Sequence, residues 1–145
     1  MTEILFRGKR ADNGEWVYGH LLEQNTPDCH SYIVMSIIAE LDNRHIEIMD
    51  FDINEVIPET VGQYTGLTDK NGKKIFEGDI VNVIYTSSLG EEFTQITTVR
   101  YDETECCFYP MRWEEDCVNC DYSTEITEIV VISNIHDNPE LLTLV

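Results

Sequence analysis

Cations are what this sequence has least of. Nine Lys and Arg stand against 28 Asp and Glu, a net charge of −19 over 145 residues. A surface so negative repels a nucleic-acid backbone, so direct nucleic-acid binding is not expected. The one cluster of cations, Arg7-Gly8-Lys9-Arg10, reads as a solubilising strand end. Long apolar runs are also missing: no basic run leads into an apolar stretch, and nothing approaches the roughly 20 apolar residues of a membrane span. The expected location is therefore the cytoplasm, with no membrane partner. Internal repeats, low-complexity tracts and linkers are absent too.

Nucleotide and hydrolase signatures are equally wanting. No GxxxxGK[ST] loop exists, and Gly62-Gln63-Tyr64-Thr65-Gly66 is not a dinucleotide fingerprint. The histidines His20, His30, His45 and His136 are scattered without an HExxH arrangement, and no serine sits in a GxSxG elbow. With this many carboxylates, acid pairs arise by chance and identify no general acid or base. No cofactor is expected.

What the chain does have is turn signals. Apolar residues make up 42% of it and charged residues 26%, enough to build one folded core. Between Val61 and Tyr85 run a short strand, the Asn71-Gly72 hairpin signal, a second short strand, a Glu77-Gly78-Asp79 turn and a β-branched strand over Ile80–Tyr85. A tight type I′ turn at Asn71-Gly72 would place both residues at positive φ. Asp12-Asn13-Gly14 repeats the signal between Ile4–Arg7 and Trp16–Leu22. Strands are expected also over Tyr32–Met35, His45–Asp50, Phe93–Tyr101, Cys106–Tyr109 and Ile129–Ile132. Ile37–Leu41 fits helix as well as strand, and Glu114-Glu115-Asp116 reads as an acidic loop. Asn138-Pro139-Glu140 has the composition of a helix start, so one helical turn is expected over Pro139–Leu142.

These signals predict a mainly β fold, all-β or α+β. Its barrel-like antiparallel sheets are built from hairpins, with at most one or two short helices. The expected organisation is one domain over 1–145, divisible into an N-terminal β subdomain, 1–56, and a core barrel, 57–145. Several short strands leave unpaired edges, and Lys70, Lys73 and Lys74 are the only lysines after position 60 to protect them. Pairing between copies, and hence a homo-oligomer, is the expected consequence.

Gly62-Gln63-Tyr64-Thr65-Gly66, followed by Asp69, Asn71-Gly72 and Gly78-Asp79, resembles the signature of the YopX family of small phage and prophage proteins. The opening, Phe6-Arg7 and then Trp16-Val17-Tyr18-Gly19, resembles that family more loosely. Its closing motif is similar to the segment holding Asn134, Asn138 and Pro139, although a Gly often stands there where this chain has Ser133. The resemblance brings no particular reaction with it. It marks Gly62, Gln63, Tyr64, Thr65, Gly66, Asp69, Asn71, Gly72, Gly78, Asp79, Asn134, Asn138 and Pro139 as binding or structural signature residues.

The residues offer two metal readings. Cys106, Cys107, Cys117 and Cys120 supply the ligand count of a structural zinc site, but adjacent strand cysteines point to opposite faces. Glu114, Glu115, Asp116 and Asp121 surround the Cys117-Val118-Asn119-Cys120 motif with charge that disfavours a redox thiolate. An odd total of five cysteines suits reduced thiols. Asp69-Lys70-Asn71-Gly72 starts like a calcium loop, yet its Gly is fourth, not sixth. No metal is therefore expected. The favoured function is a non-enzymatic phage or prophage accessory module that binds a protein. The alternatives are an acidic nucleic-acid mimic that inhibits a host DNA-binding protein, and a carboxylate enzyme that uses a metal near Asp69 and Asp79.

Overall fold

The computed structural model describes residues 3–42, 45–111 and 124–144. The acidic loop at Glu114–Asp116 and the cysteine pair Cys117 and Cys120 lie outside the described residues. Strand makes up about 60% of the described residues and helix about 7%, so the fold is mainly β. Among the described residues the helix is entirely 3₁₀, at Pro58–Thr60 and Pro139–Leu144. The chain forms two compact units, Met1–Tyr64 and Thr65–Val145.

The first unit contains β1 (Phe6–Lys9), β2 (Trp16–Glu23), β3 (Ser31–Asp42) and β4 (His45–Val56), with β5 (Gly62–Thr68) beginning at its end. Sheet order is β4-β3-β2-β1-β5, antiparallel at each documented pairing. Alternation along β2 buries Val17 and exposes Tyr18, His20 and Leu22. Val17, Ile33 and Val56 form the core, and Phe6, Leu21 and Val61 pack against it. Each such aliphatic side chain contributes roughly 1.5–3 kcal/mol when fully buried. Pro58 ends β4 by starting a 3₁₀ turn. The Thr60 hydroxyl there donates to the Ile57 carbonyl (2.6 Å) and accepts the Lys9 amide (2.9 Å).

The expected barrel does not close. The sheet of the first unit curls until Arg10 meets Val56, where Ala11 N–H bonds to the Glu55 carbonyl (3.0 Å) and Ile57 N–H to the Lys9 carbonyl (2.8 Å). That contact is a single bridge rather than a ladder, and closing a barrel requires a continuous ladder with matched stagger. The helical alternative at Ile37–Leu41 is also overturned. These residues continue β3, because β4 pairs with them from Ile37↔Phe51 to Leu41↔Ile46 and long-range pairing overrides a weak local preference.

The second unit contains the rest of β5, then β6 (Lys74–Phe76), β7 (Asp79–Ser87), β8 (Glu92–Thr98), β9 (Arg100–Asp102), β10 (Cys107–Tyr109) and β11 (Thr124–Asn134). Its three-stranded sheet has the order β11-β7-β8, again open, and β9 pairs with β10. Ile75, Val81, Val83, Val99 and Val131 form its core, flanked by Tyr85, Met111, Ile126 and Ile129. The central strand β7 is buried on both faces, which is why Ile80 to Tyr85 reads as a run of apolar residues broken only by Asn82.

Gly19 shows how tightly the first sheet is folded. A Cβ at this position would lie 2.2 Å from the Val34 carbonyl oxygen, a backbone atom that cannot rotate away. Gly19→Ala should therefore lower stability by about 1–3 kcal/mol or more through overpacking. Urea midpoints would measure it, and an unchanged midpoint would show that the two strands can separate without cost.

Candidate functional site

The signature residues do not converge on an open catalytic pocket. Gly62 and Gln63 sit in the β5 ladder opposite Arg7 and Phe6, and the buried Tyr64 donates its amide to the Leu5 carbonyl at 2.8 Å. Thr65 uses its hydroxyl inside the β5–β6 hairpin, donating to the Ile75 carbonyl (2.9 Å) and accepting the Leu67 amide (3.2 Å). Gly66 lies between them at φ 88°.

Asp69 is the centre of the arrangement. Oδ1 accepts the amides of Asn71 and Lys73, each at 2.9 Å, and Oδ2 accepts the amide of Val131 at 3.1 Å. The Gly72 amide bonds to the Asp69 carbonyl (3.0 Å) and the Asp69 amide to the Lys73 carbonyl (2.8 Å). Gly72 has φ 80°, whereas Asn71 is not among the positive-φ residues. The loop is thus a type I turn closed by a left-handed Gly, not the expected type I′ turn. The physical reason is the Asp69 side chain, which holds the Asn71 amide in the manner of an Asx turn and the Lys73 amide beyond it.

The same turn covers a strand edge. β11 pairs with β7 along one side, and the Lys70 amide bonds to the Ile129 carbonyl (3.0 Å) along the other, next to the Val131 contact. Two outward groups of β11 are thereby satisfied without another strand. Lys70 Nζ reaches Glu128 Oε1 at 2.7 Å, an exposed pair of small energetic weight. Beside this contact lies a shallow cleft of about 280 Å³ lined by Thr68, Asp69, Lys70, Ile126, Thr127, Glu128 and Ile129. Thr127, on the cleft wall, donates its hydroxyl to the Ile84 carbonyl (3.1 Å).

Gly78 and Asp79 tie a second turn to the far end of β11. Gly78, at φ 87°, donates to the Val99 carbonyl (2.8 Å) and accepts the Ile135 amide (2.9 Å). Asp79, 1% exposed, accepts the Phe76 amide on Oδ2 at 2.8 Å and pairs with Asn134 in the ladder. Asn134 Oδ1 accepts the amides of His136 and Asp137, each at 3.0 Å. Its carbonyl accepts the Asn138 amide, also at 3.0 Å. Asn138 Oδ1 accepts the Ser133 hydroxyl at 2.6 Å, and Pro139 begins the terminal 3₁₀ turn. Ser133 therefore works in the position where the family often has Gly. It stands at a register shift of β11 and binds the closing turn.

Among the described residues no three His, Cys, Asp or Glu side chains are grouped to hold a metal. Cys106 is exposed in the β9–β10 turn at φ 54°. Gly19 is the structural residue that the sequence pattern underplayed. Its only signal was membership in the Trp16-Val17-Tyr18-Gly19 motif.

Burial is the largest single influence on Asp69 and raises its pKa. The amides of Val131, Lys73 and Asn71, helped by the Lys73 charge, outweigh it and hold the carboxyl below its ordinary value. A depressed pKa contributes stability that is complete above the unfolded value near 4 and is lost as pH falls through the folded value. Asp69→Asn should cost about 1–3 kcal/mol at neutral pH, because Val131 or a turn amide loses its acceptor. The gap from the parent chain should narrow as pH falls below about 4. Urea titrations across pH would sink the assignment if the gap stayed constant. Gly72→Val and Gly78→Val should each cost about 1–3 kcal/mol, because a β-branched residue is strained at positive φ. Parental denaturation midpoints for both variants would contradict this.

Comparison with known proteins places the chain in a context. The crystal structure of protein EF1440 from Enterococcus faecalis is similar, with 25% sequence identity and a TM-score of 0.56 over 98% of this chain and 99% of that one. No curated protein matches. The model of the YopX protein family matches residues 5–143, which include the opening strand, the turn signature and the closing motif, and the chain belongs to the YopX family.

Proposed function

We propose that this chain is a non-enzymatic, protein-binding accessory module of a phage or prophage, acting in the bacterial cytoplasm. The observation that carries the reading is the engagement of the signature side chains. Both Asp69 oxygens bond to backbone amides, and Asp79 accepts the Phe76 amide, so these carboxylates hold turns. What remains for recognition is the outer surface, where Ile46, Phe51 and Phe93 are more than half exposed. The acidic nucleic-acid mimic remains a second reading, favoured by the net charge of −19.

Copies of the chain associate, on this reading, through a β edge. β8 is suited to it: Glu92–Thr98 pairs with β7 without a register shift, carries one charge and contains no Lys or Pro. Light scattering should give a mass that is a multiple of 16.8 kDa at tens of micromolar and is favoured by added salt. A monomer mass at every salt concentration would reject association.

Capture of host proteins tests the binding role. Tagged full-length chain should retain a small, reproducible set of host proteins at physiological salt, undisturbed by added duplex DNA. Retention of DNA-binding proteins that the duplex displaces would favour the mimic instead. A set no different from that held by the tag alone would overturn both readings.

A further inference from the structure

The described side chains of β4 are segregated by face, although those of its outer half are exposed. Ladder pairs Val34↔Ile53, Ile37↔Phe51, Ala39↔Ile48 and Leu41↔Ile46 alternate with Ser36↔Asp52, Ile38↔Asp50, Glu40↔Glu47 and Asp42↔His45. Successive pairs face opposite sides of a sheet, so Ile46, Phe51 and Ile53 share one face and His45, Glu47, Asp50 and Asp52 the other. A simple period of two would fail here, because 46 is even while 51 and 53 are odd. The register shift between Ile38 and Ala39 passes over Met49 and restores the segregation. Ile46 is 71% exposed, Phe51 60% and Ile53 39%, so the chain's own core does not account for this apolar face.

β4 is also the terminal strand of its sheet. The Glu55 carbonyl bonds away from β3, to Ala11. Alternation then turns the backbone groups of Ile53 and Phe51 away from β3 as well. The Phe51 amide is covered by its neighbour's carboxylate, Asp50 Oδ1, at 2.8 Å. Among the described residues no further strand pairs with this edge from His45 to Ile53, and carboxylates line one side of it with no Lys or Arg in the strand.

We propose that the β4 edge accepts an extended segment of another protein in which apolar residues alternate with Lys or Arg. The inference rests on the protein-binding reading and names its site. The incoming apolar side chains lie beside Ile46, Phe51 and Ile53. The basic ones lie beside Glu47, Asp50 and Asp52, where cross-strand pairs of opposite charge are favourable. An incoming carbonyl replaces Asp50 on the Phe51 amide and releases that carboxylate to a cation. A second copy of β4 is the wrong occupant, because self-pairing would set carboxylates against carboxylates.

The probe is a synthetic peptide of roughly nine residues alternating Lys or Arg with Val or Ile, a typical strand length. Its binding to the full chain is followed by fluorescence anisotropy. Comparison peptides are the same sequence N-methylated at every second residue, and the same composition with its basic and apolar residues in separate blocks. The alternating peptide should bind at least tenfold more tightly than either. Phe51→Thr and Asp52→Lys, which alter exposed positions and should leave urea midpoints unchanged, should each weaken it by up to about fivefold. Equal affinity for all three peptides would reduce the effect to bulk charge and overturn the site, as would no binding of the alternating one. Retention of the same host proteins by the Phe51→Thr, Asp52→Lys double variant would reject this site while leaving the binding role intact.

Discussion

The contact from the Asp69 carboxylate to the Val131 amide joins a turn to a strand 62 positions later, and the organisation of the second unit depends on it. A carboxylate that accepts several backbone amides is stable in its charged form even when nearly buried, so it can act as a fixed pin. Here the pin serves two purposes at once. It shapes the Lys70-Asn71-Gly72 loop through Oδ1, and through Oδ2 it satisfies an edge amide of β11. Removing it would expose the edge and loosen the turn together.

The second turn repeats this logic by other means. Gly78 and Asp79 connect β6 to β7, while the Gly78 carbonyl takes the Ile135 amide and Asp79 faces Asn134 across the ladder. Residues of the signature thereby hold β11 at Val131 and again at its C-terminal end, Asn134. The closing motif then folds back on itself around Asn134 and Asn138. In this chain the side chains Asp69, Asp79, Asn134 and Asn138 of the family signature hold turns and strand edges.

The segregated faces of β4 stand apart from these contacts. Scaffold residues point at backbone groups, whereas Ile46, Phe51, Ile53, Glu47 and Asp52 point at solvent, and their pattern survives a bulge that would otherwise scramble it. A strand edge lined with carboxylates avoids copies of itself while remaining open to a basic strand. On the proposed reading, avoidance of copies and recognition of a basic strand follow from the same charge.

The strands around Trp16–Leu22 and Ile80–Tyr85 were legible because β-branched and aromatic residues between Gly-containing turns restrict φ and ψ locally, whereas the single strand expected over Phe93–Tyr101 breaks at Val99 into β8 and β9, which pair with different strands. Gly72 and Gly78 were legible for the same reason, since positive φ is a property of the single residue. The barrel was not: whether β1 and β4 form one bridge or a full ladder depends on the curl of the sheet, which no short stretch encodes. Nor was the clash waiting at Gly19, which arises only because Val34 lies against it. The sequence by itself determined where the chain turns and which segments extend, through backbone preferences local to each residue. Tertiary structure alone decided that Asp69 meets Val131 and that Met49 is passed over in β4, because those outcomes depend on which distant strands pair and in what register.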